Sequence, residues 1–451
     1  MKVYPYIPFR GELSALTASA LAGLREIGAG WYVAYEESLP AAKDLAKHLA
    51  AFANHSGGWL FIGITEDKDN GMRAGSFAGV TANAAGEALA RLREAARTCV
   101  TPEVCFETKI LKGPAPELNL PEGQSILVIG VPQGGNPPYI HASGNIYRRA
   151  AGRSAPALEM DRHAVDLLSS RRVESQQRLA GFLSARSDVA EEGGDAQAKA
   201  HLYLLEDPFL TGGAQALPYE AFSSAMLASN TEQFAFTGFS TFFTTPDGYI
   251  AKLRRHNEAL AQLVTFRWWN DGNARVSIPV SDHFLETFPL YSDPQRADFV
   301  RLLRARGLEK ARVADLSQFL ATLAVATAKY LHLRSLAGLR QPFWAKTRFY
   351  GCRGIVPFIN LRQYVEIIKV RGVPHIEDDD FYAPPGVTTD TLVKLEPAES
   401  VGISEQGLRL ALRFGVSAFR AVGIDFDGFA KEDPQGFLRD LAQSMNGARR
   451  S

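Results

Sequence analysis

The run Asn54-His55-Ser56-Gly57-Gly58, followed by Trp59-Leu60-Phe61-Ile62-Gly63-Ile64, constrains this chain more than any other stretch. Paired glycines tolerate left-handed backbone and close approach, so they stop a helix and start a strand. The nearly continuous apolar run that follows needs cover on both faces of a sheet. Upstream, Leu45, Leu49 and Phe52 stand at i, i+4 and i+7 and mark the apolar side of a helix, with Ser38 as its N-cap and Pro40 in its first turn. Residues 16–28 read as helix-like, and GWYVAYEES from Gly30 reads as a short strand. Downstream, a helix is predicted over 83–97 and a second buried strand from Gln124 to Pro132. A Ser-Gly-Asn turn follows within residues 135–154, and Ser154 is placed to cap a helix over about 157–169. This alternation predicts a two-layer α/β or α+β domain over residues 1–168, ending at the polar segment that starts at Ser169.

The 451 residues are enough for two to four domains of roughly 100 to 200 residues each. The predicted class is α+β multidomain: the N-terminal α/β domain, a mixed region with β-hairpins over 169–300, and a mixed region with a helical C-terminus over 301–451. In the second half, residues 191–200 read as an exposed loop. Residues 234–253 read as strand, Pro-Asp-Gly turn and strand, and 264–280 repeat that pattern around Asp-Gly-Asn. A helix is predicted over 311–334, sheet-like composition over 354–370, and two or three helices in the last 50 residues.

Lys plus Arg and Asp plus Glu both number 49, so no whole-molecule field draws the chain to phosphate or anionic lipid. A nucleic-acid surface must then be a local patch. Three cysteines, Cys99, Cys105 and Cys352, are too few for a disulfide framework and fit a reducing cytoplasm. The first residues lack a signal-peptide pattern and no stretch approaches 18 apolar residues, so membrane spanning and secretion are not expected.

Several chemistries lack their motifs. There is no GxxxxGK[ST] to hold nucleotide phosphates, and GFSTF at Gly238 lacks the second glycine of a serine-hydrolase elbow. His48 and His55 are seven apart with no HExxH, and His48 shares a helix side with Leu45 and Phe52, the position of a boundary histidine. Cys99 and Cys105 are not a CxxC pair, so no metal site is assigned. Two features carry more. Glu36 and Glu37 follow one predicted strand, while Glu66, Asp67 and Asp69 follow another; adjacent strand ends could bring the two groups to a divalent cation, although solvated turns have the same composition. Arg148, Arg149, Arg153, Arg162, Arg171 and Arg172 cluster within 25 residues, with Tyr139 and Tyr147 among or near them. Arginines with aromatic faces can hold phosphates and stack bases, and they can equally pair with Glu159, Asp161 and Asp166.

In combination, AYEESL at 34–39, LAKHLAAFANHSGGWLFIGITED at 45–67, Pro102, ILVIGVP at 126–132 and PPYIHASGNIYRRAAGRSAPA at 137–157 resemble the Schlafen/AlbA_2 domain family, known mainly as an N-terminal module of bacterial proteins. The resemblance implies nucleic-acid binding, of DNA or RNA, often in transcriptional regulators with a helix-turn-helix elsewhere; Ile403 onward, around Gly415, is the one stretch with that outline. By this likeness Asn54, Gly57 and Gly58 are motif residues, and Lys47, Tyr147, Arg148, Arg149, Arg153 and Ser154 are the expected nucleic-acid contacts. Some Schlafen members are endoribonucleases that use two glutamates five residues apart and an aspartate after the Gly-Gly strand. Here the family's Glu-Phe-Lys falls on Ala34-Tyr35-Glu36 and the other glutamate on Ala29. That leaves Glu36, Glu37 and Asp67 as the residues of a metal-dependent nuclease alternative, the only reading that calls for a divalent cation. The sequence therefore predicts a regulatory, non-catalytic nucleic-acid binder without a cofactor. A dimerisation or protein-interaction scaffold stands as the further alternative, with a homo-oligomer as its mark.

Overall fold

The structure is a computed structural model that describes residues 4–11, 13–185, 198–208, 216–227, 239–253, 264–280, 282–288, 290, 293–339, 342–395 and 420. The chain divides into two compact units, residues 2–178 and 179–451.

In the first unit, β1 (Val33–Glu36), α1 (Ala42–Asn54) and β2 (Gly57–Ile62) make a parallel crossover that sets Val33 opposite Trp59 and Glu36 opposite Ile62. Then come β3 (Val80–Thr81), α2 (Ala82–Thr98), β4 (Glu107–Lys112) and β5 (Gln124–Pro132). β5 is the centre of the five-stranded sheet. It runs antiparallel to β2, with Gly57 opposite Pro132, and to β3 further along that edge; β4 takes its other edge.

Both faces of this sheet are covered, as the apolar runs of β2 and β5 require. Leu60, Ile62, Leu127, Ile129 and Val131 face α1 and α2, packing on Leu45, Leu49, Phe52 and Leu92. Trp59, Phe61, Ile126 and Val128 face the N-terminal segment, packing on Phe9, Leu21 and Leu24. The segment read as a helix over 16–28 holds a 3-10 helix, Ser19–Glu26, preceded by a 3-10 turn at Leu13–Ala15.

Two helix starts differ from expectation. α1 begins at Ala42 behind Ala41, with no side-chain cap, so neither Ser38 nor Pro40 belongs to it. Leu39 and Ala42 pack on the core beside Leu45, and that burial fixes the helix entry. Farther on, β6 (Tyr147–Arg148) pairs with β7 (Ala157–Leu158), so the next helix, α3 (Arg162–Ser184), starts later than predicted. Its first turn is bonded by Asp161 Oδ1, which accepts from the His163 N–H at 2.9 Å, while Ser154 is engaged elsewhere. α3 runs through Ser169, where the sequence suggested a boundary.

The second unit holds an eight-stranded antiparallel sheet. Its spatial order is Thr241–Thr245, Gly248–Leu253, Val264–Trp269, Ala274–Pro279, Lys199–Leu205, Phe343–Tyr350 and Asp380–Ala383, and Val393–Leu395 also pairs with Phe343–Tyr350. The two predicted hairpins are present. The sheet joins strands from both sides of residue 300, where two domains were expected to meet. One face carries the core of Leu202, Leu204, Phe266, Trp268 and Val276 against the helix Leu316–Leu336. On the other face, Tyr203 Oη donates to Leu183 O at 2.8 Å, Arg348 Nη1 to Ser184 O at 3.1 Å and Arg275 Nη1 to Ala185 O at 3.2 Å. Cations thus meet the carbonyl end of a helix, where its dipole favours them. The helix expected from residue 311 is preceded by the strand Arg312–Asp315, whose Asp315 forms a buried 2.6 Å ion pair with Arg296. The stretch 354–370 is mixed: the strand Val356–Phe358 and then the helix Arg362–Arg371. The predicted C-terminal helices and the helix-turn-helix outline at Ile403 lie outside the described residues.

Candidate nucleic-acid interface

The β6–β7 loop is organised by a buried cation. Arg149 is fully buried, with its guanidinium 4.6 Å over the Phe52 ring. Nε and Nη2 donate to Gly30 O at 3.0 and 2.7 Å, Nη2 also to Val33 O and Arg153 O, each at 3.1 Å, and Nη1 to Ser154 O. Burial lowers its pKa to about 10, against the nearby charges of Glu66 and Glu36, so it stays protonated at neutral pH. The Ser154 hydroxyl is buried as well and accepts from the Tyr35 N–H at 2.7 Å. Two of the expected ligand contacts, Arg149 and Ser154, therefore hold the loop to β1 and are closed to a ligand. The reason is geometric: a planar five-donor fork suits converging carbonyls.

Asn54 ties the same region together from the end of α1. Its Oδ1 accepts from the Tyr139 N–H at 2.7 Å, and its Nδ2 donates to Tyr139 O at 2.9 Å and Tyr147 O at 3.1 Å. Arg171 closes the helix end: Nη1 donates to Asn54 O at 2.8 Å and Nη2 to Gly134 O at 2.7 Å. Asn54→Ala strands these partners in a buried site, and we expect about 2 kcal/mol of destabilisation by urea unfolding of the full chain.

Other expected contacts face outward. Arg153 is exposed, just after Gly152 at φ +67°. The Arg148 side chain is 41% exposed, with a loose 3.6 Å pairing to Glu159. Tyr147 is half-buried beside α1, and Lys47, one helix turn from Asp44, bonds it at 2.8 Å. Arg162 and Arg172 are exposed along α3. Tyr139 is buried.

Among the described residues, no group of three or more His, Cys, Asp and Glu side chains could hold a metal. Glu36 Oε1 instead lies 3.1 Å from Nε2 of His48. His48 is buried, and burial lowers its pKa more than Glu36 raises it, so the pair is a hydrogen bond from a neutral imidazole. Glu37 is exposed on an open groove with Ser38, Glu87 and Arg91. Glu66 and Asp67 form one strand of a small hairpin with Arg73 and Ala74, and Asp67 Oδ1 accepts from the Asp69 N–H.

Trp31 falls within the run that reads as a strand from Gly30. The strand starts at Val33, and Trp31 is 41% exposed before it, stacked on the His55 ring at 4.9 Å and 19°. Burial lowers the His55 pKa, and Arg171, Arg149 and Arg148 add to the effect, so its imidazole is neutral at pH 7. A large aromatic directly after Gly30, where the chain turns, was the available signal.

These features define a two-faced α+β domain with a cation-rimmed loop locked onto its first strand. Residues 32–158 match the family model described as Schlafen, AlbA_2, and this part of the chain is a Schlafen/AlbA_2 domain. No curated protein matches the chain. Among solved structures, the DIP2311 protein from Corynebacterium diphtheriae is similar at 18% identity over 43% of this chain, with a TM-score of 0.19; the match spans 29% of that protein's chain. Among the described residues, no helix is long and apolar enough to cross a membrane.

Proposed function

We propose that the Schlafen/AlbA_2 domain of this protein binds nucleic acid through its phosphates, without cutting it, as part of a regulator. The observation that carries this reading is the pair of outward arginines, Arg148 and Arg153, on a loop whose backbone is held by the buried Arg149. Arginine forks suit phosphate oxygens, and a pre-held loop loses little freedom on binding. Lys47 is a weaker contributor because Asp44 offsets its charge. Such contacts fix position without reading sequence.

The test is a titration of labelled single- and double-stranded DNA and RNA against the full-length protein at two salt concentrations. Arg148→Ala/Arg153→Ala is expected to weaken binding about tenfold or more at low salt and to reduce the salt slope by roughly 1.4 to 1.8, the loss of two phosphate contacts. Equal affinity and slope in wild type and variant would remove this surface. Chelator-sensitive cleavage abolished by Glu37→Gln or Asp67→Asn would restore the nuclease alternative, and tight self-association without nucleic-acid affinity would favour the scaffold.

A further inference from the structure

Of the two tryptophans in the first unit, Trp59 is buried with its Nε1 donating to Tyr6 O at 2.9 Å, whereas Trp31 stands open. Its setting is unusually fixed for an exposed side chain. Gly30 O before it receives both Nε and Nη2 of Arg149, and Tyr32 O after it accepts from the Trp59 N–H at 2.7 Å. The His55 ring stacks on the indole, and His55 O is held by Gln133 Nε2 at 3.0 Å and Arg171 Nη1 at 3.4 Å. Isolated exposed apolar residues need no explanation. An indole whose neighbours are anchored on both sides, and which already stacks on a planar ring, presents a ready-made flat surface.

That surface adjoins the cation loop. A Cβ on Gly30 would lie 3.6 Å from Gly152 N and 3.7 Å from Ala151 Cα, so the residue before Trp31 rests against the loop that carries Arg153. Arg148 acts electrostatically on His55, beneath the indole. An exposed indole beside an arginine-bearing loop fits an unpaired nucleobase joined to backbone phosphates. A duplex keeps its base faces stacked inside and offers such a platform only phosphate and sugar.

We infer that Trp31, backed by His55, is a stacking platform for an unpaired base, which makes single-stranded nucleic acid the preferred ligand of the domain. This rests on the phosphate-binding reading above and adds the strand state of the ligand. One base on one aromatic ring contributes a modest, sequence-tolerant gain, so the preference is for single strands over duplexes and not for a particular base.

The experiment uses the full-length protein with three probes of equal length: oligo-dT, the same backbone with abasic sites, and a duplex. Wild type is expected to bind oligo-dT about tenfold more tightly than the abasic strand or the duplex. Trp31→Ala should erase that difference by weakening oligo-dT alone, with an unchanged salt slope because no phosphate contact is lost. Trp31→Phe should keep most of the preference, which shows that loss in the alanine variant is not a folding effect. If wild type binds all three probes equally with a normal salt slope, or if Trp31→Ala keeps the preference, the platform is overturned while phosphate binding stands. No salt-sensitive binding by wild type to any probe overturns both.

Discussion

Arg149→Ala is expected to destabilise the first unit by about 4 kcal/mol and to release β1 from the β6–β7 loop. Four carbonyls would lose a donor, those of Gly30, Val33 and Ser154 in buried bonds and that of Arg153 in a part-buried one. An unpaired buried polar group costs about 1–3 kcal/mol, and water entering the void recovers part of the sum. Phe52 would also lose the cation stacked on it. Against a total stability of about 5–15 kcal/mol, such a loss leaves a substantial unfolded population. Arg149→Lys should recover less than half, because an ammonium is a compact donor that cannot span four carbonyls as a planar fork does. Hydrogen exchange on the full chain checks this: protection should fall at Tyr35 and along β1 and β2 while the sheet of the second unit keeps its own. Unchanged protection would mean that the guanidinium is dispensable.

The second large effect is expected at Gly58. A Cβ there would overlap the Phe52 ring and come within 2.5 Å of Tyr32 O. The ring cannot withdraw, since it is fully buried in the core with Arg149 above it. Gly58→Ala should therefore lower stability by about 3 kcal/mol, an overpacking effect at a site hemmed in by backbone. Gly57, at φ +78°, has its own barrier: a side chain would be strained by the left-handed backbone and would meet Val131 O and Gln133 N at 2.7 Å. Calorimetry of full-length Gly58→Ala should show an early transition for the first unit; a wild-type trace would show that the strand entry relaxes freely.

The architecture of the first unit was legible because it is written in local patterns. Leu45, Leu49 and Phe52 mark α1, the two apolar runs mark β2 and β5, and the Asn-x-x-Gly-Gly sequence marks the turn between α1 and β2. The site was legible only in part, for a physical reason. Strand alternation sends the adjacent Arg148 and Arg149 opposite ways, but which of them faces water and which a set of carbonyls depends on backbone more than 100 residues away. The same holds for Ser154: a serine before a helical stretch looks like a cap, yet its hydroxyl accepts from the Tyr35 N–H across 119 residues. Nor does any local pattern announce that Glu36 meets His48 on α1. In the second unit the hairpins announced themselves through Asp-Gly turns, but nothing local states that strands on both sides of residue 300 share a sheet.

The long reach of Arg149 has a consequence for how the protein is made. β1 leaves the ribosome before Arg149, the donor to the Gly30 and Val33 carbonyls, which follows 119 and 116 residues after them, and β2 must wait for β5. Non-local pairings of this kind carry a large closure cost before they gain contacts, and they fold slowly. A nascent chain ending short of Arg149 would hold β1, α1 and β2 without the fork that secures them, exposing the apolar strand Trp59-Leu60-Phe61-Ile62. Completion of the domain is thus timed by one arginine near its C-terminal end, and truncated translation products should be the aggregating and protease-sensitive species of this chain.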